Sequence, residues 1–424
     1  MTTLAVVGAG PKGVAVAAKA RALRDAGLDA PRVVLIDRAS VASSWDGANG
    51  FTNGRLPLGT PAEKDIGYPY ADGWGTSSRR TNDGMSRFSW QRYLIDRGLY
   101  ADWVDHGRPR PTHGQWSKYI AHAARKAEVD LLTAEVTTLD VAHGRWHIGL
   151  HDRRMVEADG LVLTGGGPSI ALAGQPVEHA RIRNGRDYWL TGEQAIETLK
   201  PSSICVVGSG ETAAAIVVDI LERTDECASV DVLTSRGVLY SRGESYSENR
   251  LYSDPSEWPR LAESHRREFL DRTDRGVFSQ QAEATLNSAR GFRTLAGRAA
   301  GISASEHQVV IEIEYGSERD LVAYDFVVVA VGFNGRWFEA ILAENQRTLL
   351  ETALRGRDLE LAIGVDLAVE GLTPALHLPV LAGLAQGPGF PNLSCLGLLS
   401  DRVLRRYVPL EARRLIDSKE AQHA

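Results

Sequence analysis

Cysteine is scarce, with three residues in a chain of 424. Cys205, Cys227 and Cys395 form no close pair and no C-x-x-C. That excludes the enzymes that pass electrons through a redox dithiol. Cys205 falls inside an apolar run and reads as a small core residue. No apolar run is long enough to cross a bilayer. The first strand begins at about Thr3, which leaves no room for a signal peptide, so a cytoplasmic location is expected. Positive charge is not in excess either. The net charge of −6 gives no reason to expect nucleic acid or an anionic membrane as partner. Metal-ligand patterns are missing. His143, His147 and His151 are spaced four apart, but Trp146–Leu150 alternates like a strand. Residues four apart on a strand are separated by roughly 13 Å and cannot share an ion, so no metal is assigned.

What remains is an ordinary globular composition, 43% hydrophobic and 24% charged, over a length that suits two or three domains. The informative residues are glycines. Gly8-Ala9-Gly10-Pro11-Lys12-Gly13 and Gly208-Ser209-Gly210-Glu211-Thr212-Ala213 stand two hundred residues apart. Each comes after a short apolar run, Leu4–Val7 or Ile204–Val207, and each opens a helical segment. A strand, a tight glycine turn and a helix N-terminus together cradle a pyrophosphate. Isolated glycine turns are common in α/β proteins and a lone copy means little. Two copies, each in strand–turn–helix context, point to two dinucleotides.

The copies differ at the end of their second strands. After the first fingerprint, the strand Arg32–Ile36 ends at Asp37, whose carboxylate can accept hydrogen bonds from a ribose diol. After the second, the strand Val230–Leu233 runs into Thr234-Ser235-Arg236, with no acid. A carboxylate would repel a 2′-phosphate, whereas Ser235 and Arg236 can bind one. The first site is therefore assigned to FAD, with Gly8, Gly10, Pro11, Gly13 and Asp37. The second is assigned to NADPH, with Gly208, Gly210, Glu211, Thr212, Ser235 and Arg236.

Two buried strands ending in glycine, Leu161–Gly167 and Phe326–Phe333, bracket the second βαβ unit. The expected class is α/β, with two Rossmann-like dinucleotide-binding domains and a small, mostly helical substrate region. The boundaries read as 1–199 for the first part of the FAD domain, 200–325 for the NADPH domain, and 326–424 for the rest of the FAD domain. Residues 240–300 are polar and arginine-rich and read as a helical cap. Residues 41–120 are irregular, and a stretch that long inside a compact domain is usually functional.

With these motifs the chain resembles the flavin-dependent N-hydroxylating monooxygenases, the ornithine and lysine N-hydroxylases of siderophore pathways. The resemblance rests on Gly10-Pro11, Ser44-Trp45, Lys64-Asp65, Arg110-Pro111 with the helix after Gln115, Ser247-Glu248-Asn249 followed by Pro255, the Gly387–Leu393 loop, and Leu399-Ser400-Asp401. It implies flavin contacts at Trp45, Gly332 and Ser400. It implies that Lys64 binds the substrate carboxylate and that Asn249 works beside the amine. It also implies the reaction: NADPH reduces FAD, oxygen adds to give a C4a-hydroperoxyflavin, and a neutral primary amine takes the distal oxygen. A homo-oligomer, dimer or tetramer, is implied as well.

Departures from the family pattern suggest a different substrate. A glutamine before the Lys-Asp pair is Gly59 here, Asn-Glu becomes Asn249-Arg250, an asparagine segment reads Asp274-Arg275-Gly276, and a hydroxyl near the C-terminus is replaced near Arg405. Arginine near a substrate favours an anion. Arg275 and Arg405 are therefore candidate substrate residues, and an acidic amino acid such as aspartate joins ornithine and lysine as a candidate. Competing readings are a flavin monooxygenase oxidising carbon or sulfur and an NADPH-flavin reductase without oxygen transfer. The first lacks its F-x-G-x-x-x-H segment: the comparable stretch is Asn184–Trp189, without the histidine.

Overall fold

The computed structural model describes residues 2–223, 228–243, 245–274 and 276–408. Two five-stranded sheets, parallel throughout, organise it. The first has the order Ala375–His377, Gly160–Leu163, Thr3–Val7, Arg32–Asp37, Asp130–Thr133. The second has the order Phe292–Ala296, Ser229–Thr234, Ser203–Val207, Phe326–Val329, Ile182–Asn184. In each, the strand leading into a glycine fingerprint is central. Parallel strands buried on both faces must be apolar along their length. That is why Leu4–Val6 and Ile204–Val206 carry no alternation and are fully buried.

The first fingerprint helix, Pro11–Asp25, buries eleven of its fifteen residues. Its run of alanines lets it lie close to the sheet while the helices Ser78–Ser86, His113–Lys126 and Leu396–Arg405 pack around it. A helix apolar on all sides belongs in the interior, and this one is the axis of the first unit. Each unit also carries a three-stranded antiparallel excursion, Val136–Ala158 in the first and Arg298–Tyr324 in the second. Each excursion leads directly into the strand that returns to its sheet. The chain thus repeats a larger module than the βαβ unit alone.

The expected domain boundaries change. The strand Phe326–Val329, taken as the start of the second part of the first unit, pairs with Ser203–Val207 in the second sheet. Ile182–Asn184, placed in the first unit by sequence, forms an edge of the second sheet. The first sheet is completed by Ala375–His377. An apolar run reports burial but not which sheet it joins. The second unit extends at least from Ile182 to Val329. The 240–300 region does contain helices, Tyr246–Ser253, Glu263–Thr273 and Gln280–Ser288, clamped by a short strand pair, Tyr240–Ser241 with Val277–Phe278.

Candidate active site

The first cradle has the shape a pyrophosphate needs. A Cβ on Gly8, which sits at φ +109°, would lie 2.2 Å from Thr164 Oγ1, and one on Gly13 would lie 2.2 Å from the Gly8 carbonyl. Those glycines allow strand, turn and helix to meet. A Cβ on Gly10 would touch nothing within 4 Å, so there the turn faces open space at the helix N-terminus. Pro11 occupies the first helical turn, where its missing N–H costs nothing. Asp37 stands at the rim. Its Oδ2 accepts from Ala9 N at 2.8 Å and its Oδ1 from Ala39 N at 3.1 Å. The carboxylate is fixed with lone pairs to spare for a ribose diol. Trp45 meets the His113 ring edge-on at 4.9 Å. Burial pushes the His113 pKa down to about 4, so it packs there as a neutral ring, with its Nδ1 2.7 Å from Thr52 Oγ1.

The second cradle repeats the design. A Cβ on Gly208, at φ +131°, would lie 2.3 Å from the Ala330 carbonyl. Gly210 is open except for Gly276 N at 3.9 Å from its Cβ position. Fully buried Ala213 replaces the third glycine. Glu211 and Thr212 begin the helix Glu211–Arg223. Beyond the strand Ser229–Thr234, Ser235 is exposed, and Arg236 donates to Asp271 at its carbonyl (2.6 Å) and Oδ1 (3.0 Å). No acid comes directly after the strand, so a 2′-phosphate can recruit Arg236 from a half-exposed partner. Gly332, at φ +106°, turns the chain just after Phe326–Val329. Both cradles fit the dinucleotides assigned to them.

Lys64 and Asn249 lie 185 residues apart and come from different units, yet Lys64 Nζ donates to Asn249 Oδ1 at 3.4 Å. Local structure prepares each. Asn249 sits on Tyr246–Ser253, whose N-terminus is fixed by a capping box between Ser245 and Glu248. Lys64 precedes Asp65, which is buried and knots its loop. Asp65 accepts from Gly67 N at 2.9 Å, Trp90 N at 3.0 Å and Tyr70 Oη at 3.0 Å. Desolvation pushes its pKa up to about 6 against those bonds. The Lys64 ammonium also lies 5.8 Å from the centre of the Tyr68 ring.

Sequence reasoning missed the neighbours of this pair. Lys12, inside the first fingerprint, donates to the Pro391 carbonyl at 2.6 Å. Burial lowers its pKa to about 8, with Cys395 and Asp274 opposing the shift. Asn392 of the same loop donates to Asp274 Oδ1 at 3.2 Å. Tyr252, one turn along the helix from Asn249, is 2.9 Å from Thr273 Oγ1. The only sequence signal was a lysine within the glycine motif itself.

Two other expectations come out differently. Ser400, expected at the flavin, is fully buried and donates to the Gly397 carbonyl of its own helix at 2.8 Å. A side chain with no open surface cannot line a cofactor pocket. Its neighbour Asp401 makes a buried ion pair with Lys19 at 2.8 Å and accepts from Trp74 Nε1 at 2.6 Å. Arg405 is exposed at the end of the C-terminal helix and lies over Gly73, on the loop beside Asp401. Arg275 lies outside the described residues.

The chain matches the family profile described as L-lysine 6-monooxygenase/L-ornithine 5-monooxygenase over residues 80–334. It is 40% identical over 416 residues to L-lysine N6-monooxygenase MbtG of Mycolicibacterium paratuberculosis, covering 95% of each chain. It is likewise 40% identical over 413 residues to the MbtG of Mycobacterium tuberculosis, covering 95% of this chain and 94% of that one. Among solved structures, lysine monooxygenase NbtG from Nocardia farcinica superposes with a TM-score of 0.83 at 38% identity, over 96% of this chain and all (100%) of that one. An ornithine N-hydroxylase from Kutzneria, at 16% identity, shares the fold with a TM-score of 0.73 over 95% of this chain and 98% of that one.

Proposed function

Since the chain belongs to the L-lysine 6-monooxygenase/L-ornithine 5-monooxygenase family, an enzyme family using FAD and NADPH, we propose that it hydroxylates the side-chain amine of L-lysine. The observation that carries this reading is the Lys64–Asn249 pair. A cation and an amide presented together form a receptor for an α-carboxylate. A substrate anchored there sits at the seam between the two nucleotide units. The relatives with about 40% identity are named for lysine, whereas the case for an acidic amine rested on arginines. Arg405 lies over Gly73 instead.

Bound flavin, once reduced by NADPH, supplies the oxygen-activating chemistry. The protein's own part is to bind, orient and keep the amine uncharged. A free alkylamine has a pKa of about 10.4, and only its neutral form is nucleophilic. Desolvation of the bound amine favours that form. The hydroxylated amine is the reactive half of a hydroxamate iron chelator, which fits a role in siderophore assembly.

The test is NADPH-dependent hydroxylamine formation by the FAD-loaded protein, followed as a one-oxygen mass gain on lysine, ornithine and aspartate. Lysine is expected to lead by at least tenfold in kcat/KM. A preference for aspartate or ornithine overturns the substrate assignment. NADPH consumption without a hydroxylated product from any amine overturns the reaction itself.

A further inference from the structure

Glu211 is the first residue of the second fingerprint helix, Glu211–Arg223. An acid in a first turn is ordinarily welcome, because the helix dipole favours negative charge there. Here the same helix end must also receive a pyrophosphate, which uses the same positive field. Two anionic groups then compete for one helix N-terminus.

The surroundings of Glu211 sharpen the conflict. Its Oε2 lies 3.8 Å from the Arg242 guanidinium. On the facing loop of the first unit, a Cβ at Gly59 would come within 3.7 Å of Glu211 Oε1 and 3.8 Å of Arg242 Nη1. Arg110 holds that loop by donating to the Gly59 carbonyl at 3.3 Å. Ser279 hydrogen-bonds the carboxylate, and the charges of Arg110 and Asp274 reach it from the two sides. Arg242 Nε is buried and makes no hydrogen bond among the described residues. A dinucleotide seated on the second unit must pass its nicotinamide half across this seam to reach the flavin. Its phosphates will draw Arg242, since a guanidinium satisfies phosphate with paired donors. Glu211 then loses its closest cation as a second anion arrives.

We propose that binding of NADPH is coupled to uptake of a proton by Glu211. The Glu211 side chain is 46% exposed, and the surrounding atoms still push its carboxyl above the usual glutamate range by desolvation, with Arg242, Ser279 and Arg110 restraining the shift. The linkage sign is then fixed: the complex holds more protons than the free enzyme, so affinity falls as pH rises. The inference rests on the NADPH assignment of the second cradle and is independent of the amine substrate.

The experiment is calorimetric titration of the FAD-loaded enzyme with NADP⁺ at pH 6, 7 and 8, each in two buffers of different ionisation enthalpy. NAD⁺ serves as the control, because it lacks the titrating 2′-phosphate. The wild type is expected to take up a substantial fraction of a proton with both ligands and to bind about tenfold more weakly at pH 8 than at pH 6. Glu211→Gln should abolish the uptake, flatten the profile, and bind more tightly than wild type at pH 8. No proton uptake by the wild type at NAD⁺ concentrations where NAD⁺ binding is itself recorded overturns the proposal without reference to any variant. So does a Glu211→Gln enzyme that takes up the same number of protons, or one that binds more weakly at every pH. Absence of NADP⁺ binding altogether overturns the cradle assignment as well.

Discussion

At the residue scale, chemistry is concentrated where two units meet. The amide of Asn249 is half of the proposed carboxylate receptor, and its Lys64 partner is already within hydrogen-bond reach. Asn249→Ala should therefore raise KM for lysine about ten- to hundredfold, on the order of 1.4–2.8 kcal/mol, with a smaller change in kcat. Steady-state kinetics check this, and an unchanged KM would remove Asn249 from substrate binding. Asp65 offers a test in pH. Burial places its pKa near 6, against an ordinary value of 3.8. Between those two pH values the folded protein holds a proton that the unfolded chain has lost. The stability owed to this group thus falls as pH rises through the window and is constant above it. In urea unfolding, the difference between wild type and Asp65→Asn should move against the wild type by roughly 2 kcal/mol from pH 4.5 to pH 7.

At the scale of elements, one close approach governs the loop that carries Lys64. Gly397, in the first turn of Leu396–Arg405, donates its N–H to the Tyr68 carbonyl at 2.7 Å. A Cβ there would stand 2.1 Å from the Gly67 carbonyl oxygen and 2.8 Å from that of Tyr68. Both obstacles are backbone and cannot rotate away. Gly397→Ala should cost about 1–3 kcal/mol, as overpacked sites do, lower Tm, and raise KM for lysine by pushing the Lys64 loop off its helix. The elements that could be read from sequence were those with a local signal. Both fingerprints, Asp37 and the acid-free Ser235-Arg236 end announced themselves by spacing. Lys64 and Asn249 were found through resemblance, and no spacing joins residues from two units. Ser400 was misplaced because a motif does not say which way a helix faces. The same blindness applies to Arg405, which stands on that helix.

At the scale of the whole molecule, the units are held by more than the substrate seam. Asp219, buried on the second fingerprint helix, accepts from Asn53 of the first unit at 2.9 Å and from Tyr188 and Arg223 at 2.8 Å each. Phe51, beside Asn53, lies under the Arg186 guanidinium at 5.5 Å. Asn53→Ala removes one neutral donor from a satisfied carboxylate. It should cost about 1 kcal/mol and expose the 46–56 loop to limited proteolysis several-fold faster, with secondary structure unchanged by circular dichroism. Equal cleavage rates would show that the seam is held elsewhere.

The interleaving of the sheets also has a consequence for how this protein is made. The first sheet waits for Ala375–His377, which joins Gly160–Leu163 across more than two hundred residues. The second sheet is complete in sequence by Val329. During synthesis, which runs from the N-terminus, the later-starting sheet is the first that can finish, while the four earlier strands of the first sheet wait for their edge strand. Lys19 likewise remains without Asp401 until the helix Leu396–Arg405 emerges. Chain order alone therefore lets the second sheet close before the first gains its last strand.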